Sequence, residues 1–554
     1  MKSSLEIAQE AVLRPIAEVA AEAGLLDDEV EQYGKYKAKI DLSVLDRLSD
    51  RPDGKIICVT AVTPTSAGEG KTTTSVSLTQ GFGKIGESVA LCVRQASLGP
   101  VFGVKGGAAG AGHAQVVPME DLNLHFTGDL HAITAANNLL AAFIDAHVMH
   151  GNVLDIDVHT IGWRRALDMN DRGLRSIVTG LGGATNGFPR ETGFDITAAS
   201  EVMAILALAS DLADLRKRLG AITVAYNTAG DPVTAEQIRC AGSMAVLLKD
   251  ALKPNLVQTL EGQPAFVHCG PFANIAHGNS SLVADRVALK IADYVITESG
   301  FGADMGMEKF MDIVCRQGNI PPSAVVLVAT IKALKLHGGA VDANEDDLAV
   351  VERGAANLVR HLELVRGFGM PCVVAVNRFP SDTDAEVELV RRIALEHGAV
   401  AAETNTAVTD GGEGAADLAR AVVAAANSES TFAFTYPDDM SLREKIEAIA
   451  MKVYGAAGVD FLPEAQAKLK RFTEAGLGNL PICMAKTHLS ISHDPALKGA
   501  PRGFTVPVRD LRAYTGAGFV TALCGTIVQM PGLGKTPAGF DIDIDADGKT
   551  VGLF

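Results

Sequence analysis

The chain has one tryptophan, Trp163, and aromatic residues make up only 5% of its 554 positions. Any flat ligand must therefore be gripped by a few individual rings. Eight cysteines are present and none forms a Cys-x-x-Cys pair. That excludes the common zinc-ribbon and disulfide-exchange frameworks. Cys58, Cys92 and Cys372 lie inside apolar runs, where a thiol behaves as a small hydrophobe. A reducing, cytoplasmic setting without a structural metal follows. No apolar run reaches the ~18 residues a membrane span needs. Residues 1–24 carry Glu6, Glu10 and Glu18 and lack the apolar core of a signal peptide. Positive charge is also scarce: 49 Lys and Arg against 66 Asp and Glu leave a net charge of −17. Non-specific binding to nucleic acid or to an anionic membrane is therefore not expected. An anionic ligand would need a local positive site.

What is abundant is apolar residue content, 47%, and glycine, 56 residues. The first indicates large buried cores and the second many tight turns and close backbone approaches. The length predicts two to four domains. Short Val/Ile-rich segments, apolar on both faces, recur at 56–62, 89–93, 294–297, 324–329 and 371–376. They alternate with helical patterns, which predicts an α/β fold with a parallel sheet covered by helices. An amphipathic helix is expected over 5–23 and a long periodic helix over 197–218. A basic loop is expected over 33–39. Glycine-dense segments at 99–112 and 262–278 read as a ligand loop or domain crossing and as a return to the first sheet.

The densest chemical signal is Thr63-Pro-Thr-Ser-Ala-Gly-Glu-Gly-Lys-Thr-Thr-Thr74. It follows the first apolar run and leads into a helical pattern. Strand, glycine loop, Lys-Thr and helix together cradle nucleotide phosphates, through backbone N–H groups and the positive helix end. The loop residues are Thr65, Ser66, Ala67, Gly68, Glu69 and Gly70. Lys71 would supply a point charge, Thr72 a hydroxyl for Mg2+, and Thr73 the next amide. Thr65 stands where the usual pattern has its first glycine. Arg94 ends the next strand and is expected to face the same crevice, where it can clamp a carboxylate or phosphate. Glu120, Asp121, His125, Asp129 and His131 fall within 12 residues. Their spacing fits no common zinc pattern, so they are read as a polar site wall, with structural capping as the alternative for half of them. The acids of 293–304 are candidate Mg2+ ligands, directly or through water. The segment 373–380 reads as a strand followed by a base-contacting loop. Phe301 and Phe379 sit on loops where a heterocycle can stack. These residues indicate a Mg-dependent nucleotide enzyme with a carboxylate or phosphate clamp, and they leave the substrate open.

Taken together the motifs resemble the formate–tetrahydrofolate ligase (formyltetrahydrofolate synthetase) family. The likeness runs almost end to end. It includes Tyr33-Gly-Lys-Tyr-Lys-Ala-Lys-Ile40, the phosphate loop, Lys253-Pro-Asn-Leu-Val-Gln-Thr-Leu-Glu-Gly262 and Gly270-Pro-Phe-Ala-Asn-Ile-Ala-His-Gly278. It continues through Gly300-Phe-Gly-Ala-Asp304, Asn377-Arg-Phe-Pro380 and Met484-Ala-Lys-Thr487. The resemblance implies a P-loop-containing parallel-sheet domain, 1–103 plus 281–365, with two further α/β domains, 104–280 and 366–554. It implies a homotetramer activated by a monovalent cation such as K+. ATP would phosphorylate formate, and tetrahydrofolate would attack the formyl phosphate. Lys71 and Arg94 would hold the phosphoryl group and formate. Asn377, Arg378 and Pro380 would lie beside the nucleotide. Phe301, Phe379, Gln95 and Val408 would lie on the substrate side.

Four positions depart from the family pattern, all on that substrate side. Gln95 and Ala96 follow Arg94 where the family reads Glu-Pro, and an amide is no base at neutral pH. His113 replaces a tyrosine. Val408 replaces a tryptophan that would sandwich the pterin against Phe379. Aromatic stacking is worth roughly 0.5–1.5 kcal/mol beyond burial, so its loss would weaken affinity about two- to tenfold. His488-Leu-Ser replaces Gln-Tyr-Ser. Three readings follow: an ordinary ligase with drift, a divergent ATP-dependent ligase with another acid or amine, and a non-catalytic nucleotide-binding protein.

Overall fold

Strands that are apolar on both faces must be covered on both faces, and that requirement organises the computed structural model. It describes residues 2–104, 109–525 and 527–553. The strands along the main path of the twelve-stranded central sheet are β1 (Val30–Gln32), β2 (Ala38–Ile40), β3 (Lys55–Ala61), β4 (Val89–Val93) and β5 (Asn255–Thr259). They continue with β6 (Pro264–Val267), β7 (Tyr294–Glu298), β8 (Ala324–Thr330), β9 (Cys372–Asn377) and β10 (Ala401–Asn405). Their spatial order is β1-β2-β5-β6-β4-β7-β3-β8-β9-β10. From β6 to β10 every neighbouring pair is parallel. The edge strands β1, β2 and β5 run antiparallel to their neighbours, β6 included. The α/β class and the five expected strands are present with ends moved by a residue or two. The sheet draws strands from all three segments expected as domains.

Alternate residues along β3 enter separate cores. Ile57, Val59 and Ala61 pack with Val76, Leu78 and Phe82 of the helix Lys71–Lys84. Ile56 and Cys58 face Leu282, Val287, Met307 and Leu334 on the other side. The chain passes from β3 to β4 in one direction and from β7 to β8 in the other. The order therefore reverses between β3 and β7, and such a switch point opens a crevice outside the strand carboxyl ends.

Two expected helices are broken. Residues 5–23 form Ser4–Glu10 and Ile16–Glu22, separated at Pro15, which supplies no N–H donor. Residues 197–218 form Glu201–Leu208 and Leu212–Ala221, because the Asp211 side chain caps a new start at Asp214 N. The glycine-dense segment begins as the helix Leu98–Gly103, and residues 105–108 lie outside the described residues. The segment expected to return to the sheet does so through β6. The helix Asp129–Met149 has the length and mean hydropathy, 1.2, of a membrane span. Its first residue, Asp129, is buried against Lys39 Nζ at 2.8 Å, and Asn137 and Asn138 bond to backbone carbonyls. It packs against the helix Ala241–Leu248.

Asp285, on the helix Leu282–Ile291, is wholly buried beside Thr297 and Cys92, and burial pushes its carboxyl from an ordinary 3.8 up to about 7. The folded state then binds this proton more tightly than the unfolded one. Its contribution is complete below 3.8 and is lost as pH rises through about 7. Asp285→Asn should flatten the fall in melting temperature across that window. A variant with the parent slope would show that another group carries it.

Candidate active site

The glycine loop spans 62–70, between β3 and the helix Lys71–Lys84. Gly68 and Gly70 have φ of +75° and +70°, which glycine adopts at no steric cost. A Cβ on Gly70 would also lie 2.7 Å from Asn377 Nδ2. Inside the loop, Gly68 N donates to Thr65 O and Ala67 N to Thr65 Oγ1, both at 3.2 Å. Glu69 is buried, and its Oε1 accepts from Thr65 N at 2.5 Å. Ser66, Ala67 and Gly70 are exposed, while Lys71, Thr72 and Thr73 are half-buried. The first intrahelical bond is made by Thr74 N to Gly70 O at 2.8 Å. The amides of Lys71, Thr72 and Thr73 therefore stand at the positive end of the helix, outside its own bonding ladder.

Side chains from the neighbouring strands and helices hold this loop. Asn377, the last residue of β9, donates through Nδ2 to Glu69 O at 3.1 Å and to Gly70 O at 3.4 Å. Its Oδ1 accepts from Thr74 Oγ1 at 3.0 Å and Asn405 Nδ2 at 2.9 Å. At the loop root, Thr63 N donates to Asn357 Oδ1 at 3.0 Å, and Thr63 O is 2.9 Å from His337 Nε2. Thr63 Oγ1 is 3.0 Å from His361 Nε2, and burial pushes the His361 imidazole down to about 4, so it is uncharged. Asn377 thus braces the glycine loop against the start of the helix. Arg378 pairs with Asp384 at 2.7 Å, Pro380 is exposed, and Phe379 lies under the Lys332 ammonium at 5.1 Å.

Arg94 leaves the end of β4 into the same crevice. Its Nη2 is 3.6 Å from Glu298 Oε1 at the end of β7, and Nη1 donates to Pro271 O at 3.3 Å. Several polar atoms around it are buried and have no hydrogen-bond partner among the described residues: Arg94 Nε, Gln95 Oε1, Glu298 Oε2 and His277 Nε2. Buried groups of this kind normally find partners, so the cluster suits a polar ligand. His277 is pushed down to about 3, chiefly by burial, with Arg94 and Lys309 adding to the effect.

The loop after β7 meets the C-terminal segment here. Phe301 adopts φ +60°, and its ring stacks on His488 with centroids 4.4 Å apart and planes 18° from parallel. Asp304 and Lys486 form a buried ion pair at 2.6 Å. Lys486 Nζ also donates to Thr487 O at 3.1 Å and Ser490 O at 2.7 Å. Glu298 and Asp304, candidate Mg2+ ligands from sequence, are thus engaged by cations. No cluster of three or more His, Cys, Asp or Glu among the described residues is placed to hold a metal.

The expected wall over 118–131 is mainly structural. Glu120 accepts from Gln9 and Thr550, and Asp121 pairs with Lys37 at 2.8 Å. Asp129 pairs with Lys39, and His125 and His131 are exposed. Val408 follows β10, next to the β9 loop that carries Phe379. Its carbonyl accepts from His113 N at 3.0 Å, so two of the four departures are in contact. Trp163 is buried elsewhere, with Nε1 donating to Asn137 O at 3.0 Å. Sequence reading missed Asn357, His361, Asn405 and Lys486.

The glycine loop, the Arg94 cluster and the Phe301 loop follow β3, β4 and β7, neighbouring strands at the switch point. The family model for formate–tetrahydrofolate ligase matches residues 2–554. The chain belongs to that family. The formate–tetrahydrofolate ligase of Desulforamulus reducens is 58% identical, covering 100% of this chain and 99% of that protein. That of Roseiflexus sp. is 56% identical over 100% of both. That of Granulibacter bethesdensis is 56% identical over 100% of this chain and 97% of the relative.

Two variants test the bracing. Asn377→Ala takes a donor from the Glu69 and Gly70 carbonyls and one acceptor from the Asn405 amide, and a buried group left unpaired costs about 1–3 kcal/mol. It should lower the melting temperature and weaken ATP binding together, and unchanged ATP binding would refute the bracing role. Lys486→Met leaves Asp304 buried without its cation, a loss of about 3–5 kcal/mol. Adding Asp304→Asn should restore part of the melting temperature.

Proposed function

We propose that this protein is a formate–tetrahydrofolate ligase, a carbon–nitrogen ligase using ATP, formate and tetrahydrofolate to make 10-formyltetrahydrofolate. Full-length family identity, together with an intact glycine loop beside Arg94, carries this reading. A carboxylate oxygen is a poor leaving group and phosphate is a good one, so formate is first converted to formyl phosphate. The amine then displaces phosphate from that acyl group. Formyl phosphate hydrolyses readily, so the site must exclude water. Catalysis rests mainly on positioning and charge neutralisation.

In this reading the loop from Thr65 to Thr73 holds the ATP phosphates, with Lys71 neutralising the transferred group and Arg94 orienting formate. Asn377 acts through the loop, and Arg378 and Pro380 border the nucleotide. Phe301, Phe379, Gln95 and Val408 border the folate side. Mg2+ suits the site, because it is commonly held by one or two protein oxygens plus substrate phosphates. Thr72, half-buried at the helix start, supplies such an oxygen, and the ion would neutralise phosphate charge. Activation by K+, a homotetrameric assembly and a three-domain subunit divided near residues 103, 280 and 365 belong to the same reading. So does a cytoplasmic location, which eight buried, unpaired thiols support.

ADP formation should require formate and tetrahydrofolate together, and 10-formyltetrahydrofolate should accumulate. Lys71→Ala should lower kcat/KM by at least about a hundredfold. ADP formation with another acid, and none with formate, would instead establish the divergent-ligase reading.

A further inference from the structure

We propose that His488 is a phosphate-binding residue of this chain, its imidazole donating a ring N–H to the phosphoryl group anchored at Lys71. The inference rests on the phosphate-loop reading above. Three observations carry it. His488 stacks almost parallel on Phe301, so one face of the ring is covered and its nitrogens point along the plane of the stack. The Phe301 loop is seated on the root of the phosphate loop. A Cβ on Gly302 would lie 3.4 Å from both Val62 O and His361 Cε1, and His361 itself contacts Thr63. The segment bearing His488 is clasped to the same place, because Lys486 Nζ bonds Asp304 as well as the carbonyls of Thr487 and Ser490.

The electrostatics agree with that placement. Burial lowers the His488 value, and the charges of Lys486 and Lys71 lower it further. An imidazole held this way stays neutral, keeps one N–H, and adds a donor beside Lys71 without adding charge. The stack, the clasp and the loop root thus present a ring edge where the helix dipole and Lys71 already attract an anion.

The test uses the full-length enzyme and measures the ATP dissociation constant by calorimetry, then KM for each substrate. His488→Phe keeps a ring to stack on Phe301 and removes the N–H. His488→Gln restores an uncharged donor. Lys71→Ala reports on the phosphate site itself. His488→Phe should weaken ATP binding about tenfold or more, with the KM for tetrahydrofolate within twofold of the parent. His488→Gln should recover part of the loss. ATP binding unchanged in His488→Phe but abolished in Lys71→Ala would overturn the role of His488 and leave the phosphate site standing. A shift confined to the tetrahydrofolate KM would also overturn it. Parent-like ATP binding by Lys71→Ala would remove the phosphate site and this inference together.

Discussion

The site depends on one side chain holding a glycine loop open. A phosphate loop works only when its amides are kept apart and aimed before the ligand arrives, and glycine has no preference for that shape. Here the shape is imposed from outside, by the Asn377 amide at the end of β9. It reaches two carbonyls of the loop and the first turn of the following helix. Asn405, at the end of the next strand, holds that amide in turn. The loop is therefore set by the register of β9 against β10, in which Asn377 and Asn405 are direct neighbours.

A second constraint is electrostatic. The chain carries net negative charge, yet its substrates are anions, so the positive groups have to be concentrated and protected from the surrounding acids. Arg94 faces Glu298, and Lys486 is committed to Asp304. The nearby imidazoles His277 and His361 are held neutral by burial. Positive charge at the crevice comes from the helix end, from Lys71 and from Arg94 beside Glu298. Neutral donors fill the remaining positions, which suits a ligand that must be neutralised but also released.

The four departures from the family pattern sit in this frame. Gln95 keeps its backbone tie to Cys269, with N donating to O at 2.6 Å, while its amide oxygen is buried and unpaired. His113 and Val408 meet across a backbone hydrogen bond, so they change one wall together. His488 has become part of a ring stack. The hydrogen bonds that brace the glycine loop, from Asn377, Asn357, His337 and His361, involve none of the four.

The sequence by itself determined the α/β class, five strands of the central sheet, the glycine loop that opens a helix, and the family. These are local patterns: apolar runs of strand length, glycines where the backbone must turn, and a Lys-Thr pair opening a helix. It misjudged the helix over 197–218, because the periodicity continues through Asp211 while the side-chain cap that breaks the helix does not show in periodicity. It also read the acids of 118–131 as a polar site wall, with structural capping as the alternative for half, and Asp304 as a candidate Mg2+ ligand. Only the tertiary structure decided that these carboxylates are engaged, by Lys37, Lys39 and Lys486, at separations of up to 182 residues. The same holds for Asn377, whose partners at Glu69, Gly70 and Thr74 lie more than 300 residues away. Spacing along the chain reports which side chains share an element. Which charge meets which, and which amide braces which loop, is set by strand order across the sheet.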